Sequence, residues 1–199
     1  MEKKPDYIIQ IGDLYDFYSA SRFAKNPNAI TPDQEVLWGR EAAEQVWASI
    51  KNRAPKAECY QLKGNHCIRP NKKLMELAPE LFSYFVPKPL WDFPGVNTIH
   101  DAREELVILD RVFHHGWKTQ LGSHARFYRK KTTVGHSHRG NVLLLPEFGN
   151  EDPIWELNCG YLADPEHESG ALKYSPQKWN AWTKGFGLED QYGPRFISL

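Results

Sequence analysis

The sequence predicts an α/β fold, and three observations predict it. An apolar run, Tyr7-Ile8-Ile9-Gln10-Ile11, leads into Gly12 and Asp13 and reads as a buried strand ended by a glycine. Thr31-Pro32-Asp33-Gln34 has the form of a capping box with proline at the first helical position, so a helix begins there. Glu58 to Lys63 reads as a second strand, and a strand, a helix and a strand at this spacing make a βαβ unit with a right-handed crossover.

The elements follow in order. A polar loop with Asn26, Pro27 and Asn28 separates the first strand from the helix, whose apolar positions are Trp38, Ala42, Val46 and Ile50 and which ends near Arg53, before Pro55. Pro70 to Phe85 reads as one or two short helices broken at Pro79, and Pro87, Pro89 and Pro94 mark an extended surface loop. Strands are then expected at Leu106 to Leu109 and at Val112 and Phe113, the latter running into His114-His115-Gly116. Gln120 to Arg129 reads as a helix and Thr132 to Val134 as a short strand ending on Gly135-His136-Ser137-His138. Val142 to Leu145, Ile154 to Leu157 and a segment near Phe186 or Phe196 complete the strands. No internal repeat or low-complexity linker interrupts the chain, which reads as one domain over residues 1–199.

Composition excludes several classes. Lysine plus arginine and aspartate plus glutamate both number 25, so the formal net charge is zero and no global field draws in nucleic acid or an anionic membrane. Seven Trp, nine Tyr and ten Phe supply large rings for a core and argue against disorder. Cys59, Cys67 and Cys159 are odd in number and widely spaced, which fits reduced thiols better than a disulfide framework. No uncharged apolar run is long enough to span a bilayer, and the expected location is the cytoplasm.

Four predicted strands end on side chains that can bind a metal: Asp13, then Asn65 and His66, then His114 and His115, then His136 and His138. In open α/β sheets the loops after the carboxyl ends of strands converge on one crevice, where ligands bind. A lone Gly-Asp is ordinarily turn chemistry, and two histidines two residues apart are ordinarily exposed loop residues. The ordered set is what carries the functional reading.

That set, Gly12-Asp13-Leu14-Tyr15-Asp16, Gly64-Asn65-His66, His115-Gly116 and Gly135-His136-Ser137-His138, resembles the calcineurin-like metallophosphoesterase superfamily, in the order that family uses. Trp155 to Leu162 and Trp179 to Phe186 also resemble its small bacterial and phage members. The resemblance implies a layered β-sandwich flanked by helices. It also implies a hydrolase acting on phosphate esters through two divalent ions, manganese first, with iron, zinc, nickel or magnesium as alternatives. Asp13 resembles the carboxylate that bridges the two ions, Asn65, His115 and His136 the other ligands of the second ion, and His138 a ligand of the first. His66 resembles the imidazole that contacts the phosphate and protonates the leaving oxygen. A carboxylate can hold two cations roughly 3.5–4 Å apart, and such a pair activates water and clamps phosphoryl oxygens, while imidazole can donate a proton near neutral pH.

The sequence also departs from that family. The family's Asp-x-His motif, on a strand about one helix upstream, supplies the main ligands of the first ion, and only Met1 to Asp6 precede Tyr7 here. The resemblance therefore starts inside the family's first helix-to-strand connection, without its first strand and helix. The expectation is one ion bound firmly and a second weakly, and an exposed sheet edge that invites a homodimer. Cys67 stands where most members place an acid, and Phe17 and Cys67 disfavour the protein phosphatase branch. Phosphodiester or nuclease chemistry is preferred, with nucleic acid as a candidate partner. Arg69, Arg139 and the Arg126-Arg129-Lys130-Lys131 cluster are candidate phosphate contacts, the cluster also reading as a solvated helix face. Of the adjacent histidines, His115 is preferred over His114, and Asp16 reads as an acceptor for loop amides. His100, His124 and His167 receive no role. Two alternatives stand beside the enzyme: a family member that binds one metal or nucleic acid without turnover, and a structural zinc site on the three cysteines.

Overall fold

The computed structural model describes residues 4–23, 29–84, 90–146, 153–164 and 181–199. The predicted loop at Asn26 to Asn28, Pro87, Pro89, His167 and Trp179 lie outside these. The chain is of the α/β class, and its described residues form two compact units, one running to Ala102 and the other starting at Arg103.

In the first unit, β1 (Tyr7–Gln10), β2 (Glu58–Leu62) and β3 (Asn97–Ile99) form a parallel sheet in the order β1-β2-β3. The register pairs Tyr7 with Glu58 and Gln10 with Gln61. The first of these strands is half-buried along its length rather than buried as expected, because it is the edge of the sheet among the described residues. Between them runs α1 (Pro32–Arg53), which starts where the capping box places it: Thr31 Oγ1 accepts from the Gln34 amide and the Gln34 side chain accepts from the Thr31 amide. Asp33 and Glu35 in its first turn and Lys51 and Arg53 in its last complement the helix dipole.

The inward face of α1 differs from the predicted one. Ala43 and Trp47 are buried while Trp38 and Val46 are exposed, so the face runs from Glu35 through Gly39 and Ala43 to Trp47. The reason lies at Gly39, where an added Cβ would stand 2.6 Å from the Tyr15 ring. The glycine makes the flat patch against which Tyr15 packs, and that turns its own stripe inward. Ala43 and Trp47 then pack with Cys59 and Phe93, and Tyr15 and Phe17 with Cys67 and Trp91. The stretch around Pro94, expected as surface loop, thus delivers two rings to the core, Trp91 and Phe93 both being only 4% exposed. The helical segment after Pro70 splits at Pro79 as predicted, into α2 (Arg69–Leu77) and a 3₁₀ turn over Pro79–Tyr84.

The second unit holds β4 (Leu106–Ile108), β5 (Arg111–His114), α3 (Ser123–Tyr128), β6 (Lys131–Val134), β7 (Asn141–Leu145) and β8 (Ile154–Asn158). These strands form one sheet in the order β4-β5-β6-β8-β7, in which β5, β6 and β8 are parallel. Every residue of β8 is buried, and its neighbours are β6 and β7. The α3 helix is shorter than predicted because Gly122 before it and Arg129 after it both have left-handed backbone. The C-terminal strand is a hairpin of two, β9 (Gly185–Asp190) and β10 (Gly193–Ser198), whose Phe196 ring fills the space above Gly140 and Gly160.

Phe93 separates a core role from a surface-loop one. Phe93→Ala is expected to lower the free energy of unfolding by about 3–5 kcal/mol, the cost of emptying a packed aromatic site, in urea denaturation. A surface residue would change it by less than about 0.5 kcal/mol.

Candidate functional site

The site residues of the first unit gather at the ends of β1 and β2. Beyond β1 the Gln10 side chain folds over the turn, donating to the Gly12 carbonyl at 2.8 Å and accepting from the Gly12 amide at 2.9 Å. Its register partner Gln61, fully buried, donates to the Gln10 Oε1. Gly12 and Asp13 both have positive φ, 108° and 56°, so this clamped turn holds the aspartate in a conformation that L-residues seldom adopt. The loop after β2 meets the aspartate closely: a Cβ on Gly64 would lie 2.0 Å from Asp13 Oδ1. The glycine of Gly64-Asn65-His66 is the hollow in which the Asp13 carboxylate sits.

Two residues on, the His66 amide donates to Asp13 Oδ1 at 2.9 Å, and the His66 ring turns its Nδ1 to Asp16 Oδ1 at 2.7 Å and lies 3.7 Å from Asp13 Oδ2. Arg69 Nη1 donates to the Asp16 carbonyl at 2.6 Å and to its carboxylate at 3.1 Å. An imidazole and a guanidinium are thus among the partners of Asp16. Arg69 braces Asp16, and any phosphate contact would use its other nitrogens. The Cys67 thiol is 2% exposed and burial, followed by the Asp13 charge, raises its pKa, as suits an inert thiol. Burial likewise pushes Cys159 up to about 12.

In the second unit the predicted ligands lie after the parallel pair β5 and β6. The alternation of β5 turns His114 inward with Val112, and the His114 Nδ1 accepts the Gly116 amide at 2.8 Å. That leaves His115 beyond the strand, in the loop. The Gly135 amide donates to the His115 carbonyl at 3.0 Å, tying the two loops together, and the His115 and His136 rings stand 5.5 Å apart, edge to face. His136 and His138 have φ of 63° and 60°. The turn that carries them is held by Asn158, whose amide donates to the Gly135 carbonyl at 3.2 Å and the Ser137 hydroxyl at 2.7 Å. The His138 ring lies 4.3 Å from Trp182, perpendicular to it, and the Thr183 amide donates to its carbonyl. Arg139 is exposed at the end of this turn.

The sequence reading missed a buried pair in this unit. Glu156 on β8 accepts the amides of Gly122, His124 and Ala125 at 2.8–3.0 Å, and His124 Nδ1 stands 3.5 Å from its carboxylate. His124 Nε2 in turn accepts the Trp117 and Lys118 amides at 3.1 and 3.3 Å. Together they fasten the loop that follows His115 to an interior strand of the sheet. Burial alone would raise the Glu156 carboxyl, but the His124 side chain and the Ala125 and Gly122 amides more than offset it and hold it below the usual range. A glutamate inside an otherwise apolar strand, Ile-Trp-Glu-Leu, was the available signal.

Asp13, Asp16 and Asn65 in the first unit and His115, His136 and His138 in the second are donors of the type that manganese, iron or zinc accept. Among the described residues no three His, Cys, Asp or Glu side chains are drawn into a group that could hold an ion.

No protein-family model matches the chain, and no solved structure matches it. Among curated proteins it is similar to the "Gene 54 protein" of Mycobacterium phage L5, 27% identical over 211 residues, covering 94% of this chain and 77% of that protein. It is also similar to the "Gene 54 protein" of Mycobacterium phage D29, 25% identical over 209 residues with the same coverage. Among the described residues no helix is long and apolar enough to cross a membrane.

Two outcomes follow from this geometry. Gly64→Ala is expected to cost about 1–3 kcal/mol of stability, since the added methyl displaces the Asp13 carboxylate, and urea denaturation measures it. Because the folded-state pKa of Glu156 is depressed, its stabilisation is complete above the unfolded value of about 4.3 and is lost as pH falls through the folded value. Unfolding free energy is therefore expected to decline below about pH 4.3, and less steeply in Glu156→Gln.

Proposed function

We propose that the chain is a metal-dependent phosphoesterase that hydrolyses a phosphodiester, with nucleic acid or a nucleotide as the substrate class. The observation that carries this reading is conformational: Asp13, His136 and His138, three of the residues matched to metal ligands, all have left-handed backbone at the end of a strand. Each such residue costs on the order of 1–3 kcal/mol and persists only where its surroundings fix it; Phe17, Leu109, Asp110 and Arg129 share the conformation at other turns. The hollow at Gly64 for the Asp13 carboxylate supports the same reading.

Asp13 and Asn65 in the first unit, and His115, His136 and His138 in the second, are the residues that would contribute ligands to divalent ions. When bound, such ions supply Lewis acidity, making a water more acidic and offsetting phosphoryl charge. The protein's own contribution is clearest at His66. Asp16 accepts from Nδ1 at 2.7 Å, fixing the ring, so that Nε2 is the nitrogen left to give a proton to the leaving oxygen. Arg69 keeps Asp16 in place for that task.

Hydrolysis of bis-p-nitrophenyl phosphate with added manganese tests the reading. His66→Ala is expected to lower kcat by roughly 10²- to 10⁴-fold, the range for loss of a general acid, with metal content by elemental analysis unchanged. Equal rates in the two proteins would remove the catalytic assignment, and wild-type protein that neither binds manganese nor turns over would remove the enzyme.

A further inference from the structure

Two residues beyond His115, the loop after β5 presents an aromatic surface. Trp117 and Phe127 are 42% and 68% exposed, with ring centroids 5.3 Å apart and planes at 84°. Tyr128 completes the group, 5.9 Å from Trp117 and 5.1 Å from Phe127. The tryptophan is fixed from behind by the rings of His124 at 4.6 Å and His114 at 5.2 Å. It is thus a rigid surface rather than a loose side chain.

Next to these rings in the sequence come Lys118, Arg126 and Arg129, all exposed and, among the described residues, without an acidic partner. Other cations of the region are already paired, Lys130 with Asp110 and Arg111 with Glu189. The predicted basic cluster therefore divides: Lys130 belongs to a surface ion pair, while Arg126 and Arg129 bracket Phe127 and Tyr128 in the chain. Glu105 takes the Tyr128 hydroxyl; burial, then Glu105, raises that phenol.

We propose that Trp117 and Phe127, with Lys118, Arg126 and Arg129, form a binding platform for single-stranded nucleic acid. Exposed rings offer faces on which any base can stack, and cations beside them take the phosphates between successive bases. The steep angle between the two rings receives bases splayed from one another, which a single strand can supply and a stacked duplex cannot. Charge argues against an apolar protein partner, because three cations without an acidic partner among the described residues would have to be covered. The platform deepens the phosphoesterase reading, resting on it only in making the bound strand the substrate.

Fluorescence anisotropy with labelled single strands of about 20 nucleotides, oligo-dT and oligo-U, and a duplex of equal length tests this in EDTA and low salt. The single strands are expected to bind more tightly than the duplex. Trp117→Ala and Phe127→Ala should each weaken binding by roughly 5- to 100-fold, the loss of one stacked base. Arg126→Ala with Arg129→Ala should flatten the log–log salt dependence by about 1.4. Circular dichroism checks the fold, and the exposed Phe127 gives the cleaner variant. No binding, a duplex bound as tightly as the single strands, or full affinity in both aromatic variants would overturn the platform. Strand binding that persists in a protein without hydrolysis would keep the platform and remove the phosphoesterase.

Discussion

The Asp13 carboxylate can occupy its position only because residue 64 has no Cβ. With 2.0 Å between that absent atom and Asp13 Oδ1, the loops after β1 and β2 touch at the limit of van der Waals approach. Everything else in this part of the first unit follows from the contact. It places the His66 amide on Asp13 Oδ1, and from there the ring reaches Asp16 and the next turn brings Arg69 to the same acid. The parallel register that sets Gln10 beside Gln61 fixes the two loops relative to one another two or three residues before they meet.

Backbone strain at a strand end persists only where its surroundings determine it, and the two units solve this with the same chemistry. In the first, the Gln10 side-chain amide bonds both the amide and the carbonyl of Gly12. In the second, the Asn158 side-chain amide bonds the Gly135 carbonyl and the Ser137 hydroxyl. A primary amide suits both places because it carries donor and acceptor side by side and no charge to desolvate. These residues hold the turns on which the groups assigned to chemistry sit.

What could be read from the sequence follows from how local its cause is. The start of α1 was legible because a capping box is completed within four residues, and the strands were legible where glycine or histidine pairs ended apolar runs. The inward stripe of α1 was not, since two apolar stripes compete along that helix and only the Tyr15 ring against Gly39 chooses between them. β3 escaped because Asn97, Thr98 and Ile99 are too few and too polar to make a pattern. Trp91 and Phe93 were hidden among prolines that signal a surface loop. The strand-end residues Asp13, His115, His136 and His138 were named from their order, while the buried polar residues that hold their loops, Gln61, Glu156, His124 and Asn158, have partners far away in sequence and left little trace.

Two buried glutamates show how such partners decide a charge. Glu35 accepts the Phe17 amide at 2.6 Å, yet burial raises its carboxyl above the ordinary range, and the neighbouring Asp16 adds to the rise. Glu156, more deeply buried, is shifted the other way. The difference lies in the donors each has gathered. Glu156 receives three backbone amides from one loop and faces an imidazole, which together outweigh the loss of water. It is therefore a fixed anion at neutral pH, around which residues 117–125 are wound. That anchoring explains how a short loop following His115 can hold Trp117 rigidly at the surface: the ring rests on His124, and His124 faces the charge on an interior strand of the sheet.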